Sequence, residues 1–183
     1  DANDGTLTHS ANLILNLAPL YIEDFEDGVA DGFTYLKGTW AVSSGVLTGT
    51  NTRKATAVAP FTMIGNRSVE AVMRTAGGSG NRVSLLGWQV DKKNLVELLM
   101  KQEQGKWVLK HRVRGKNIAK AKALSAIQPN TDYRARISFD GTIFQVFIDG
   151  VEVININGSV PTDGSPGSKV KSTKGPFGEI LVY

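Results

Sequence analysis

The chain contains no cysteine, only two histidines and no long apolar run. The absence of cysteine excludes disulfide bonds, thiolate metal sites and a cysteine nucleophile. No apolar stretch reaches the roughly 18 residues that a membrane-spanning helix requires, so membrane insertion is not expected. His9 and His111 lie far apart in the sequence, and no Ser-His-Asp order can be assembled around either of them.

The 183 residues are 41% hydrophobic and 21% charged, which is ordinary for a globular protein. This length suits one domain, and such a chain buries about 70% of the surface that it exposes when unfolded. The sequence begins at Asp1 rather than with Met. We therefore interpret it as a mature or excised segment of a longer protein, whose other domains would be partners of this one.

The charge is positive and unevenly placed. The formal net charge is +4, and ten of the 21 basic residues lie between Lys92 and Lys122. A basic stripe attracts polyanions. The sequence has no RNA- or DNA-binding motif and no basic helix, so nucleic acid is not expected as the partner. An acidic glycan, or a simply solvated face, is favoured instead.

From Tyr21 onward, short runs of alternating apolar and polar residues are separated by turns rich in Gly, Asn and Asp. This pattern is typical of an all-β sandwich or barrel. Residues 117–127, NIAKAKALSAI, are the best helix candidate, because Ala, Lys and Leu favour helices. Their apolar positions also fit a strand, and Pro129 ends the segment. We find no convincing helix.

Three turns predict hairpins and their registers. Asp140-Gly141 and Asp149-Gly150 are strong two-residue hairpin signals, and Gln104-Gly105 is a weaker one. Taken in that order, these turns place three pairs of residues opposite each other: Ile137 and Phe144, Ile148 and Val151, and Glu97 and Arg112. The third register also places His111 opposite Leu98, in the core.

Several segments resemble those of a known family. Residues 24–50, DFEDGVADGFTYLKGTWAVSSGVLTGT, resemble the start of concanavalin A-like, laminin-G-like jelly-roll domains. Residues 133–153 resemble their paired hairpins, and residues 164–183 resemble their closing strands. The match covers residues 21–183 and consists of many weak signals in the right order. The resemblance implies an all-β, two-sheet antiparallel jelly-roll sandwich with a shallow concave face, which we assign to residues 19–183.

The first 18 residues form a separate unit in this interpretation. Residues 1–18, DANDGTLTHSANLILNLA, resemble the last strand of a bacterial immunoglobulin-like domain. Leu13, Leu15 and Leu17 alternate with other residues, as in a strand. We predict a linker, or the last strand of a preceding immunoglobulin-like domain. The alternative is the first strand of the main domain.

The family includes lectins, glycan-binding modules, adhesion domains and some glycosidases, so the fold alone does not choose a function. We interpret the chain as a non-catalytic carbohydrate-binding module of a larger exported protein, located outside the cell, in the periplasm or at the cell surface. The alternatives are an adhesion or spacer domain without a small ligand, or a divergent glycosidase or lyase. The Glu-x-Asp-x-x-Glu strand of laminarinase-type glycosidases is absent.

The acidic residues near the start of the jelly roll suggest a calcium site. In members of the family, a structural Ca²⁺ often joins acids of the first strand to an Asp of the last, and Glu23 and Asp24 are the residues that match. Carboxylate oxygens suit this ion. However, Gly178 stands where the Asp of the last strand is expected. The alternative is a solvated acidic turn, and no other cofactor is expected.

The predicted ligand site combines an aromatic ring with charged groups. If Arg82 and Ser84 face outward from their strand, Trp88 faces outward too, and an exposed Trp can stack on a sugar ring. Basic neighbours would then bind sugar hydroxyls or a carboxylate. The predicted site residues are Trp88, Arg82, Glu97, Lys110 and Arg112. The alternative is that a bulge reverses the alternation and places Trp88 in the core.

Overall fold

The computed structural model describes residues 18–51, 53–78, 80–171 and 173–183. The N-terminal strand predicted within residues 1–18 lies outside this range except for Ala18, so the boundary between the two units stays a prediction. The strands of the described residues are β1 Tyr21–Glu23, β2 Thr34–Lys37, β3 Thr39–Ser43, β4 Val46–Asn51, β5 Ala55–Val58, β6 Ser68–Met73, β7 Arg82–Gln89, β8 Leu95–Lys101, β9 Lys106–Val113, β10 Lys116–Leu124, β11 Tyr133–Phe139, β12 Ile143–Ile148, β13 Val151–Asn157, β14 Ser165–Lys171 and β15 Thr173–Val182.

These strands form two antiparallel sheets, as predicted. Sheet A has the strand order β13-β12-β11-β6-β15-β4-β3, with β1 pairing to β15. Sheet B has the order β10-β9-β8-β7-β14-β5-β2. The segment that favoured a helix by composition lies mainly in β10, an edge strand of sheet B. Among the described residues, no helix is long and apolar enough to cross a bilayer.

One core fills the space between the sheets. Strands β6 and β11 bury alternate residues, because successive side chains of a strand point to opposite faces. Each large apolar side chain that is fully buried contributes about 1.5–3 kcal/mol relative to exposure. The largest fully buried aromatic side chains are Trp88, Trp107, Phe25, Phe144 and Phe177.

One of the two Asp-Gly hairpins has the predicted register next to its turn, as far as a bulge between Val146 and Phe147. At Asp149-Gly150, Ile148 pairs with Val151, as expected. At Asp140-Gly141 the prediction was wrong by two residues, because Ile137 pairs with Val146 rather than Phe144.

The cause is the Asp140 carboxylate. It accepts hydrogen bonds from the backbone N–H groups of Thr142 (2.8 Å) and Ile143 (2.7 Å). Asp140 itself pairs with Ile143, so the two central turn residues are Gly141 and Thr142.

The third hairpin also differs from its predicted register. A 3₁₀ turn over Gln102–Gln104, followed by Gly105 in a left-handed conformation (φ 50°), replaces the two-residue turn. Glu97 therefore pairs with Lys110, not with Arg112. His111 pairs with Val96 rather than Leu98, but it is 2% exposed, so its assignment to the core is confirmed. Burial lowers the pKa of His111 and favours the neutral ring.

Candidate functional site

The outer face of sheet B carries two adjoining depressions, which we call together the basic groove. The smaller has a volume of about 170 Å³ and lies over the centre of the sheet, and the larger has a volume of about 440 Å³. Lys54, Arg112 and Lys169 line both. The basic residues that line the groove are Lys37, Lys54, Arg82, Lys92, Lys93, Lys110, Arg112, Lys169 and Lys171.

The groove holds more positive charge than the whole chain. Nine basic residues and one acid, Glu97, give it a formal charge of 9 − 1 = +8. The whole sequence has a net charge of +4, so all other residues together carry 4 − 8 = −4. The positive charge of this protein is therefore concentrated on one face.

Apolar side chains form a floor beneath the basic residues of the groove, and two of them, Leu95 and Leu99, line the groove directly. Leu86, Leu95, Leu99 and Val108 lie on the outer face of sheet B, outside the main core, yet none is more than 5% exposed. Long basic side chains line the same surface, and lysine and arginine can bury their aliphatic stems while keeping their charged heads in water. We attribute the burial of the floor to these stems, which the floor in turn supports.

Glu97 sits in the middle of this surface. It is 3% exposed, and its Oε1 accepts a hydrogen bond of 2.6 Å from Nζ of Lys169 on β14. Arg112, which the predicted register placed opposite Glu97, is therefore not its partner, and the ion pair of Glu97 is with Lys169. Arg112 lines the groove, but its guanidinium donates to the backbone oxygen of Lys92 at 3.4 Å.

Burial and the surrounding charges affect the pKa of Lys110, which lies opposite Glu97. Burial lowers this pKa and Glu97 raises it, while the neighbouring cations Arg112, Lys120 and Lys169 lower it further. The net shift is downward. An added negative charge would be favoured here, because it relieves repulsion among these cations.

Two lysines reach the groove from a tightly held loop. The carboxylate of Asp91 accepts backbone N–H bonds from Lys93 (2.6 Å) and Asn94 (2.8 Å). The side-chain oxygen of Asn94 accepts the N–H of Arg114, in the turn between β9 and β10, at 2.9 Å. Lys92 and Lys93 are thus presented on a backbone that needs little further ordering when a ligand binds.

Four of the five predicted ligand-site residues line the smaller depression: Arg82, Glu97, Lys110 and Arg112. The sequence reasoning missed Lys37, Lys54, Lys92, Lys93, Lys169 and Lys171. The missed lysines of β14 carried a usable signal, because residues 168–171 read SKVK with lysines two apart. The position of β14 beside β7, in the centre of the sheet, is not visible in the local pattern.

Trp88 is the exception, and its predicted role was wrong. It is 1% exposed and lies between the sheets. Its indole packs edge-on against Phe139 and Phe144, with centroids 6.3 and 6.2 Å away, and its Nε1 donates to the backbone oxygen of Gly65 at 3.2 Å. A ring held in this way cannot stack on a ligand in the groove.

A β-bulge explains the inward position of Trp88. Leu86 lies opposite Gly167 of β14, whereas Gln89 lies opposite Ser165. Strand β7 thus advances by three residues over the length in which β14 advances by two. Trp88, within this bulge, takes a left-handed conformation with φ 48°. The extra residue reverses the alternation of side chains, which is the alternative that the sequence left open.

The acidic residues near β1 do not fit a calcium site. Both carboxylate oxygens of Glu23 accept backbone N–H bonds of 2.9 Å, from Phe25 and Asp31. Asp24 accepts the backbone N–H of Glu26 at 3.1 Å. Within the described residues, no three His, Cys, Asp or Glu side chains are grouped so that they could hold a metal ion. The acids hold the turn that leads into the sandwich.

This role predicts different effects at the two positions. Glu23→Gln should lower the free energy of unfolding by about 1–3 kcal/mol. The side-chain amide of glutamine has one acceptor oxygen, so one of the two backbone N–H groups that Glu23 holds loses its partner. Asp24→Asn keeps its single acceptor and should change stability by less than about 0.5 kcal/mol. Urea denaturation of both variants measures the difference. Equal losses of stability in the two variants would contradict this role. So would a melting temperature of the wild type that is higher in millimolar Ca²⁺ than in EDTA.

No family model and no curated protein sequence matches the chain. Solved structures do match. The carbohydrate-binding module CBM66 from Bacillus subtilis has a TM-score of 0.72 at 20% identity, covering 82% of this chain and 94% of that one. A protein of unknown function with a galectin-like fold, also from Bacillus subtilis, has a TM-score of 0.71 at 15% identity, covering 91% and 96%.

A prokaryotic β-1,3-1,4-glucanase (lichenase) derived from a mouse hindgut metagenome has a TM-score of 0.71 at 9% identity, covering 88% of this chain and 97% of that one. Identities this low establish shape, not activity. The strand order, the antiparallel pairing and these structural matches lead to one conclusion: the chain has the jelly-roll sandwich fold that these solved structures share.

Proposed function

We propose that this domain binds an acidic glycan in the basic groove, as a non-catalytic module of a larger exported protein. The observation that carries the proposal is the formal charge of +8 on one face of a chain whose net charge is +4. A solvated surface that served only solubility would gain nothing from such concentration, because like charges that are close together repel one another.

The shape of the groove favours an extended ligand that lies across several strands. Its lining residues come from β2, β5, β7, β8, β9 and β14 and from the loop around Lys92. Each exposed ion pair would contribute only about 0–1 kcal/mol, so affinity must come from several contacts and should fall as salt is added. A glycan with one acidic group in every sugar or two supplies such a series of contacts.

Two further points support a saccharide. The solved structures of similar shape include a carbohydrate-binding module and a glucanase. In addition, the aliphatic side chains of Leu95 and Leu99 line the groove beside charged hydrogen-bond donors. Sugar rings have apolar C–H faces and polar edges, and they suit such a surface better than a simple inorganic anion does.

The carboxylates that line the groove do not favour the alternative function of a glycosidase. Glycoside hydrolysis generally uses two carboxyl groups, about 5–5.5 Å apart for retention and about 6.5–9.5 Å apart for inversion. Among the described residues that line the groove, Glu97 is the one carboxylate, and it is held by Lys169. Release of reducing ends from a glycan would favour the enzyme instead.

The test is calorimetric titration with an oligogalacturonate at low and at moderate salt. Arg112→Gln should weaken binding by up to about fivefold, because one cation is worth at most about 1 kcal/mol here, and it should flatten the salt dependence. Arg136→Gln, on the outer face of sheet A, is the matched control and should change neither quantity. A neutral cello-oligosaccharide should bind more weakly than the acidic one.

Three results would lead to a different conclusion. Equal binding of single-stranded DNA and oligogalacturonate would indicate a general polyanion surface. Absence of binding to every anion, at low salt, would favour the adhesion or spacer domain. Equal binding of acidic and neutral oligosaccharides would show that the basic groove is not the recognition element.

A further inference from the structure

Glu97 is out of place in a site that only attracts anions. It is the one carboxylate among the described residues lining the groove, and its side chain is 4% exposed. A fixed negative charge repels every anionic ligand placed near it. Burying a carboxylate also requires compensation, which Lys169 provides at 2.6 Å.

The position of Glu97 is set by three neighbouring strands. Lys110 lies opposite it on β9, Leu86 lies opposite it on β7, and the ammonium of Lys169 reaches it from β14. This carboxylate therefore lies between cations on either side within the smaller depression. A ligand whose anionic groups bind Arg82, Lys110 or Arg112 is brought within reach of Glu97.

The chemistry of a carboxylate decides what it can accept from such a ligand. An ionised carboxylate offers acceptor sites only. Sulfates, sulfonates and carboxylates of a ligand are also acceptors only, so they cannot bond to it directly. A sugar hydroxyl can donate, and a hydrogen bond from a neutral donor to a charged acceptor is roughly twice as strong as one between neutral groups.

We infer that Glu97 is a specificity-determining residue, which selects acidic sugars with a free hydroxyl close to the anionic group over polyanions without hydroxyls. This inference depends on the proposed binding of an acidic glycan. A uronic acid fits it, since the carboxylate and hydroxyls belong to the same ring. Lys169 acts as a positioning residue, because its ammonium holds the Glu97 carboxylate in place.

The experiment uses one substitution and two ligands. Glu97→Gln keeps the shape of the side chain and removes its charge. Titration with an oligogalacturonate should show about fivefold weaker binding, because a charge-assisted hydrogen bond is replaced by a neutral one. Titration with short polyvinylsulfonate, which has no hydroxyl groups, should show tighter binding, because a repulsive charge has gone. These opposite signs are the result that supports the inference.

Other patterns overturn it. If Glu97→Gln tightens the binding of both ligands, Glu97 only reduces the positive charge of the groove. If Glu97→Gln weakens the binding of both ligands, Glu97 only maintains the shape of the groove. Ser84→Ala, at a neighbouring position of the same depression, measures how much any local change in the groove lowers affinity. If wild-type protein binds no oligogalacturonate, the proposed function fails and the inference fails with it. If the wild-type protein binds oligogalacturonate but Glu97→Gln does not weaken that binding, the inference alone fails.

Discussion

Trp88→Ala is expected to lower the free energy of unfolding by about 3–5 kcal/mol, the usual range for removing a buried tryptophan. Trp88 is 1% exposed and packs against Phe139 and Phe144. The variant leaves a cavity beside both rings and removes the indole N–H, which donates a hydrogen bond to the backbone oxygen of Gly65. Urea denaturation followed by circular dichroism measures the loss.

Trp88→Phe is the matched control, because it keeps an aromatic ring and removes the indole N–H. Its cost should be smaller, about 1–3 kcal/mol, since the backbone oxygen of Gly65 loses a partner and part of the volume remains filled. Under conditions where both variants stay folded, glycan binding should be near that of the wild type. Loss of binding with unchanged stability would show that Trp88 is exposed after all.

Lys169→Met is expected to lower the free energy of unfolding by about 2–3 kcal/mol, because it leaves Glu97 as a buried charge without its partner. This loss is smaller than the roughly 3–5 kcal/mol that is usual for breaking a buried pair, since the Lys169 side chain is 22% exposed, against 4% for Glu97. A methionine preserves most of the stem that lies on the groove, so lost packing contributes little. Thermal and urea unfolding measure the change.

The double variant Lys169→Met/Glu97→Leu separates the two causes. Replacing both partners with apolar residues removes the unpaired charge, so stability should return to within about 1 kcal/mol of the wild type. A double-mutant cycle with Glu97→Leu alone then gives the coupling energy of the pair. If the double variant is no more stable than Lys169→Met, packing rather than charge explains the loss.

Local signals in the sequence determined the class of fold. Alternating apolar residues from Tyr21 onward specify strands with one buried face, and this information is present within each short segment. The Asp149-Gly150 turn specified its hairpin correctly, because both residues favour the left-handed conformations that the turn requires. The core position of His111 also followed from alternation, since an error of two residues in register leaves each side chain on the same face.

Local signals also identified part of the groove. Lys110 and Arg112 are two residues apart on β9, so their shared face follows from the alternation of side chains alone. Arg82 is on β7, and it reaches the same face through the pairing of β7 with β8 and of β8 with β9. The basic stripe between Lys92 and Lys122 indicated the sign of the charge on this face. The calcium prediction had a different origin, the resemblance to a family, and the hydrogen bonds of Glu23 do not fit it.

Long-range pairing decided the rest. Lys169 is 72 residues from its partner Glu97, and only the insertion of β14 beside β7 brings them together. The same pairing creates the bulge at Trp88, because β7 has one residue more than β14 over the matched segment. A bulge of one residue reverses the face of every side chain beyond it, so the sequence of β7 by itself could not determine whether Trp88 faces a ligand or the core.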